Sequence, residues 1–197
     1  MRSTLVVVLL ALGLIAPNVA GATEWTIDGT HSAVDFKVRH MMVSWVHGTF
    51  GKVSGTIHID HAKLAESSAQ VTIEAASVDT GNAKRDKHLR NSDFFDVAQH
   101  PTITFKSTSV RNVGEDSFEF VGDLTLLGTT REVVLSVTDV AKPVQSRGGM
   151  KSGASASFEI KRSDFGMTYS KVMEAGGLNI GIKVKLSIDV ELNEVKK

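Results

Sequence analysis

The fold is decided by the stretch Ile180-Gly-Ile-Lys-Val-Lys-Leu-Ser-Ile-Asp-Val-Glu-Leu192, in which apolar residues occupy every second position, Ile182 among them. Successive side chains of a β-strand point to opposite faces, so the pattern predicts a strand with one apolar face and one charged face. The stretch is much longer than a usual strand of about five or six residues. It therefore indicates a sheet built from long strands.

The same alternation recurs along the chain, with turn signals at Asn112–Gly114 and Leu127–Thr130. Counting the alternating segments gives about eight strands. Long strands with few helices close either into an antiparallel barrel or into a flattened two-sheet sandwich, so the pattern predicts an all-β domain. The alternating segments lie at 34–38, 53–60, 71–75, 103–105, 118–126, 133–137, 154–160 and 180–192.

Periodicity alone does not say which face of the strands points inward. An outer-membrane barrel would turn its apolar face outward and would need aromatic girdles, but the chain has only one Tyr and two Trp. We therefore expect the charged face outside and the apolar face inside. Small inward residues (Gly55, Ala75, Gly122, Ala154 and Ala156) would leave volume, or would face large neighbours in a filled core; both alternatives stay open.

One connection differs from the strands, and it runs from Lys84 to Phe105. Asn82 is a suitable N-cap, residues 83–91 tolerate a helix, and Pro101 returns the chain to an extended form. The pattern predicts a short helical connection. Its Phe94-Phe95 pair must be buried, either as a plug at one end of the domain or at the mouth of a ligand site.

The N-terminus has the features of a signal peptide over residues 1–22, with Arg2 before an apolar run and Ala20-Gly21-Ala22 at its end. We expect a mature domain over residues 23–197. The chain has no cysteine, hence no disulfide and no lipid-modified N-terminal cysteine. These features predict a periplasmic or secreted protein without stable membrane insertion.

Charge excludes one class of partner. Without Arg2, the formal net charge is −1, and the basic residues are spread along the chain apart from Lys84, Arg85, Lys87 and Arg90. A nucleic-acid-binding protein would need a basic face, so we expect no nucleic-acid partner. The balance also gives no support for electrostatic attachment to a membrane. The basic cluster is typical of a solvated helix face.

No motif for metal binding or catalysis is present. The seven histidines lack paired metal-ligand spacing. There is no Gly-x-Ser-x-Gly and no glycine-rich phosphate loop, and Asp93 and Asp96 suit capping better than acid–base chemistry. The sequence therefore predicts a non-enzymatic protein with no cofactor and no metal.

Several short segments together resemble the YceI-like family of secreted lipid-binding proteins. Each is weak alone, but their order and spacing span nearly the whole mature chain. One position departs from the pattern, because Gly181-Ile-Lys183 stands where the family often has a Gly-Asp-Glu type turn. The segments are Trp25–Asp28, His31-Ser32, Phe36–His40, Val46–Phe50, Lys87–Arg90, Asp93–Asp96, Pro101–Phe105, Gly122–Gly128, Phe158–Arg162 and Asp164–Gly166.

The resemblance implies a lipocalin-like antiparallel β-barrel whose apolar channel holds a long isoprenoid or related lipid. On this basis we expect two groups of ligand-binding residues, with His31 as a possible head-group contact. The channel would be lined by Phe36, Val38, Phe105, Phe120, Phe158 and Leu186, and its ends would be gated by Met42, Trp45, Phe94, Phe95, Phe165 and Met167.

Three functions therefore compete. The first is a carrier or store for an isoprenoid or fatty-acyl lipid. The second is an interaction or stress-response protein with a filled barrel, and the third is a hydrolase acting on a bound lipid. The apolar run Met41–Val46 would also suit a homodimer interface.

Overall fold

The computed structural model describes residues 23–173 and 178–196. The predicted signal peptide, residues 1–22, lies outside the described residues. Short 3-10 turns occur at Leu64–Glu66, Ala75–Ser77 and Arg162–Phe165. The strands and the helix are β1 (Thr23–Ile27), β2 (Ala33–His40), β3 (Ser44–Phe50), β4 (Val53–Ile59), β5 (Ser68–Glu74), β6 (Val78–Asp79), α1 (Ala83–Leu89), β7 (Thr102–Arg111), β8 (Phe118–Leu126), β9 (Thr129–Thr138), β10 (Val144–Ser146), β11 (Gly149–Lys161) and β12 (Ile180–Glu194).

The strands form an antiparallel barrel. The order β11-β9-β8-β7-β5-β4-β1-β12 closes because β12 pairs again with β11. On its other edge β12 pairs with β1 near its C-terminus and with β2 over most of its length, so that β2 and β3 continue the wall beyond the short β1. The predicted eight-stranded all-β barrel with a short helical connection is confirmed.

The barrel has two distinct ends. The upper end is where β2 finishes and β12 begins, since His40 pairs with Ile180 there. The chain between β6 and β7, which carries α1, covers this end. The lower end is formed by β1 and by the β7–β8 turn, whose Asp116 carbonyl accepts the N–H of Val140. These two ends are chemically different, as described below.

Local sequence explains α1 and the tightest hairpin. Asn82 caps α1, with its Oδ1 accepting the N–H of Arg85 at 3.0 Å, and the helix ends well before Pro101. Between β8 and β9, Leu127 and Gly128 have φ of 52° and 69°, the left-handed pair that a two-residue hairpin requires. Both predictions are confirmed.

The prediction for Ile182 is wrong. Ile182 is 43% exposed, because the pairing of β12 with β2 shifts register between Ile180 and Val184. Such a bulge breaks the alternation of faces. The other apolar residues of the stretch turn inward, and the departure from the family pattern at Gly181–Lys183 lies within this bulge.

Within the described ranges 23–173 and 178–196, no helix is long and apolar enough to cross a membrane.

Candidate functional site

The barrel encloses a cavity of about 440 Å³. This volume lies in the range of about 300–1,000 Å³ that is typical of small-molecule sites. The inward faces of the strands supply an almost wholly apolar wall. The question of a filled core is thereby answered, since the small residues Ala154 and Ala156 line the cavity. Gly122 instead makes room for a neighbour, because a Cβ there would lie 2.7 Å from the Phe105 ring.

Most of the side chains predicted to bind a ligand surround this cavity. They come from five strands, from the segment after α1 and from the chain after β11, so the fold brings together residues far apart in sequence. They are Phe36, Val38, Phe94, Phe95, Phe105, Phe120, Phe158, Met167 and Leu186. Ligand binding by these residues stays a prediction.

Four predicted residues do not line the cavity. Phe165 is buried in the core beside it, at 2% exposure. Met42 and Trp45 lie on the outer surface of the β2–β3 hairpin, where the turn carries them away from the cavity. His31 is exposed near the lower end. The structure therefore does not place these side chains where they were expected to gate the channel or contact a head group.

The predicted Phe94-Phe95 pair closes the upper end of the barrel. Both rings are buried, and the Phe95 ring packs on Phe50 with centroids 5.4 Å apart. The Arg90 guanidinium holds this segment in place by donating to the carbonyls of Ala76 and Val78 at 2.8 and 2.6 Å. The pair therefore both plugs the end and lines the cavity.

The upper end of the cavity carries polar groups that the sequence did not reveal. Among the described residues that line the cavity, the ionisable groups of this end other than Tyr169 are basic or histidine, and no carboxylate is present. Together with Tyr169 and Asn179 they form what we call the polar end. The basic and histidine residues are Arg39, His40, Arg85, His88 and Arg162.

His88 shows why the basic cluster around α1 is not only a solvated face. Its ring contacts Phe94 and Tyr169, with centroids 5.0 and 5.2 Å away. Its Nε2 lies 2.8 Å from a carboxylate oxygen of Asp93. Asp93 thus orients a histidine at the cavity, whereas Lys84 and Lys87 are exposed as predicted.

Arg162 is the most buried cation of the polar end, at 4% exposure. Its Nε, Nη1 and Nη2 donate to the carbonyls of Gly181, Met167 and Ile180 at 2.9, 2.8 and 3.3 Å. Burial lowers the pKa of its guanidinium, but a guanidinium stays charged at neutral pH. Arg162 therefore ties β12 to the chain after β11 and places a positive charge at the cavity wall.

A separate charged cluster surrounds His31 near the lower end. Ligand atoms of Asp28, His31 and Glu191 lie within 4.8 Å of one another. The Lys151 ammonium lies between the two carboxylates, 3.1 Å from Asp28 and 2.5 Å from Glu191, and supplies the positive charge they need. The pKa of Asp28 is held well below its ordinary value, mainly by the hydrogen bond from Lys151. Hydrogen bonds from the Thr30 backbone and the His31 side chain lower it further.

We expect a pH-dependent stability change when Lys151 is replaced by Met. The lowered pKa of Asp28 stabilises the folded state above its ordinary pKa of 3.8, and this contribution is lost as the pH falls below that value. Glu191 and Asp28 raise the pKa of Lys151, so its contribution disappears only as the pH rises through and above 10.5. Urea unfolding should therefore show a deficit near neutral pH that shrinks at about pH 3.

The matched control for this prediction is Lys142→Met, because Lys142 is an exposed lysine in the loop before β10. It should change the free energy of unfolding little at any pH. An equal Lys151→Met deficit at about pH 3 and about pH 7 would contradict the assignment.

An antiparallel barrel closed around an apolar cavity with one polar end defines the class of small-ligand-binding barrels. The YceI-like domain family matches residues 25–192. A UPF0312 protein of Azotobacter vinelandii is 38% identical over 169 residues, which cover 85% of this chain and 88% of that protein. The chain belongs to the YceI-like domain family.

Solved structures agree with this assignment. The chain is similar to BcnA of Burkholderia cenocepacia, with a TM-score of 0.71 and 27% identity over 84% of this chain and 98% of that one. It also shares its fold with a polyisoprenoid binding domain from Saccharophagus degradans. That likeness has a TM-score of 0.63 and 21% identity, over 87% of this chain and 98% of that domain.

Proposed function

We propose that this protein binds a long-chain isoprenoid or related lipid in the barrel cavity and carries or stores it outside the cytoplasm. The observation that carries the proposal is the cavity of about 440 Å³, apolar along its walls and polar at one end. The isoprenoid ligand is supported by the fold shared with the polyisoprenoid binding domain of S. degradans.

The energetics favour this use of the cavity. Removing apolar surface from water contributes about 25 cal/mol per Å² of binding free energy. A lipid chain that is insoluble in water therefore gains most when it lies in a cavity with apolar walls. A few polar groups suffice to orient a ligand. We place the head group at the polar end, where His40 and His88 can donate hydrogen bonds to it.

The proposed role is binding rather than turnover. Of the polar groups around the cavity, Arg162 and Arg85 are already engaged, Arg162 by backbone carbonyls and Arg85 by Thr80. Asp93 lies 2.8 Å from His88 Nε2 but does not itself line the cavity, and none of the described lining residues is a carboxylate that could act as a general acid or base. We therefore expect the bound lipid to leave chemically unchanged.

The location is part of the proposal. The signal features of residues 1–22 support export, and a periplasmic carrier would meet lipids of both adjoining membranes. The mature chain should begin at Thr23, which N-terminal mass analysis of the exported protein would measure.

Native mass spectrometry of the protein isolated from its own periplasm, followed by organic extraction, tests the proposal. We expect one long-chain lipid per barrel, and none in a Phe158→Asp variant, because Phe158 lines the cavity wall and a carboxylate there opposes an apolar chain. Ser157→Asp, one position along and exposed, is the matched control and should retain the lipid.

A protein that stays free of lipid after exposure to quinones, polyprenols and fatty acids would overturn the carrier function and favour an interaction role. Conversion of the extracted lipid during incubation with the protein would overturn the non-enzymatic part alone.

A further inference from the structure

The β2–β3 hairpin presents apolar side chains to the outside at the upper end of the barrel. Met41, Met42 and Val43 are 49%, 57% and 79% exposed, and Trp45 beyond them is 36% exposed. We call residues 41–45 the hairpin tip. Single exposed apolar residues are common, but a contiguous exposed group marks an interaction site.

Turn chemistry does not explain these residues. Met41 and Met42 have φ of 49° and 59°, in the left-handed region where glycine and asparagine are favoured. Leu127, the corresponding residue of the β8–β9 hairpin, is half-buried against the core, so its packing explains it. The methionines of the hairpin tip have no such packing, which points to a contact outside the chain.

Positive charge surrounds the base of the hairpin tip. Lys37 Nζ, Arg39 Cζ and Lys185 Nζ lie 5.5, 4.6 and 5.9 Å from the centroid of the Trp45 ring. Two carboxylates lie on the same outer face: Glu159, opposite Lys185, pairs with Lys183 at 2.7 Å, and Asp35 lies further along β2 from the tip. The hairpin thus has an apolar tip, then an aromatic ring, then cations.

We propose that the hairpin tip docks the barrel onto a bilayer surface that contains anionic phospholipids. Met41, Met42 and Val43 enter the boundary of the acyl chains, Trp45 lies at the level of the head groups, and the three cations contact phosphates. Trp45 follows Val43 by two residues, a rise of roughly 7 Å along an extended chain. This distance matches the depth of about 5–10 Å to which interfacial elements are buried.

The position of the hairpin tip gives the docking a consequence. The N–H of Met41 donates to the Asn179 carbonyl at 2.8 Å, and Asn179, Arg39 and His40 belong to the polar end of the cavity. A docked barrel therefore turns that end toward the bilayer. The inference goes beyond the proposed function and stands without it, because docking is measured with no cargo present.

A second copy of the chain fits this surface less well. A twofold interface places the same patch on both subunits. Lys37, Arg39 and Lys185 would then face the same cations of the other copy, and like charges across an interface are unfavourable. An anionic surface instead complements them, although the net charge of the whole chain is near zero.

The test measures sedimentation of the exported protein with vesicles of phosphatidylethanolamine and phosphatidylglycerol, and with vesicles of phosphatidylcholine alone. Because Trp25 is buried at 1% exposure, a blue shift of tryptophan emission on binding reports Trp45. Val43→Asp should weaken binding to the anionic vesicles at least about tenfold. Val113→Asp, at an exposed valine of the lower end, should leave binding unchanged.

A charge variant separates the electrostatic contribution to vesicle binding from the apolar contribution. Lys37→Gln with Lys185→Gln should weaken binding to anionic vesicles by roughly fivefold per cation removed, with no effect on phosphatidylcholine. Equal binding of wild type and Val43→Asp, or equal losses for Val43→Asp and Val113→Asp, overturns the proposal. The proposal is also overturned if light scattering shows a dimer that Val43→Asp dissociates while the same variant still binds vesicles as the wild type does. Lipid retention by Val43→Asp, followed in parallel, keeps failure of docking distinct from failure of cargo binding.

Discussion

Replacing Ala156 by phenylalanine is expected to abolish lipid uptake by a protein that remains folded. Ala156 lies on β11 opposite Ile188 and Val137, and its methyl group faces the cavity. A phenyl ring at this position occupies space that an extended chain would need. Because the ring enters the cavity rather than a close-packed region, we expect the free energy of unfolding to change by less than about 1.5 kcal/mol.

The neighbouring position supplies the control. Ser157 is exposed on the outer face of the same strand, so Ser157→Phe adds a comparable ring outside the barrel and should leave uptake unchanged. Uptake is measured by incubating each variant with a polyprenol and recording its mass by native mass spectrometry, with urea unfolding as the measure of stability. Full uptake by a folded Ala156→Phe variant would mean that the lipid does not enter the cavity.

The fold could be predicted from the sequence because apolar residues alternate with polar ones along its strands, and this alternation is visible in the local sequence. Phe36, Phe105 and Leu186 each lie on the apolar face of their own strand. The alternation of faces therefore predicted that all three point into the cavity, and they do. Ile182 shows the limit of the argument. A bulge changes the parity of a strand, and it depends on pairing with β2 rather than on the sequence of β12 alone.

The polar end could not be predicted because no local signal marks it. Arg162, His88 and His40 come from three separate connections or strand ends, and only closure of the barrel brings them to one cavity. The basic residues around α1 resemble an ordinary solvated face, since a helix pattern does not show what covers the helix. Asp93 beside His88 was a partial signal, read as capping.

The hairpin tip was misplaced for a related reason. The apolar run Met41–Val46 indicated either a gate or an interface, and hydrophobicity alone does not separate an inward side chain from an outward one. The turn decides the matter, because two residues with positive φ carry Met42 out of the wall. The homodimer interface, which the sequence also left open for this run, stays a prediction.

Replacing Arg162 by methionine is expected to cost about 4 kcal/mol of the free energy of unfolding. The guanidinium is the donor to the carbonyls of Gly181, Met167 and Ile180, and an unsatisfied buried polar group costs about 1–3 kcal/mol. Methionine fills similar space but donates nothing. Urea unfolding curves measure the loss.

Two further variants make the prediction specific. Arg162→Lys keeps the charge but not the planar fork that reaches three carbonyls, so its loss should be intermediate. Arg111→Met removes an exposed arginine paired with Glu119 at the lower end and should cost less than about 1 kcal/mol. If Arg162→Met costs no more than Arg111→Met, then Arg162 does not hold β12 to the chain after β11. Its burial at the polar end would then have to be explained by the ligand rather than by the fold.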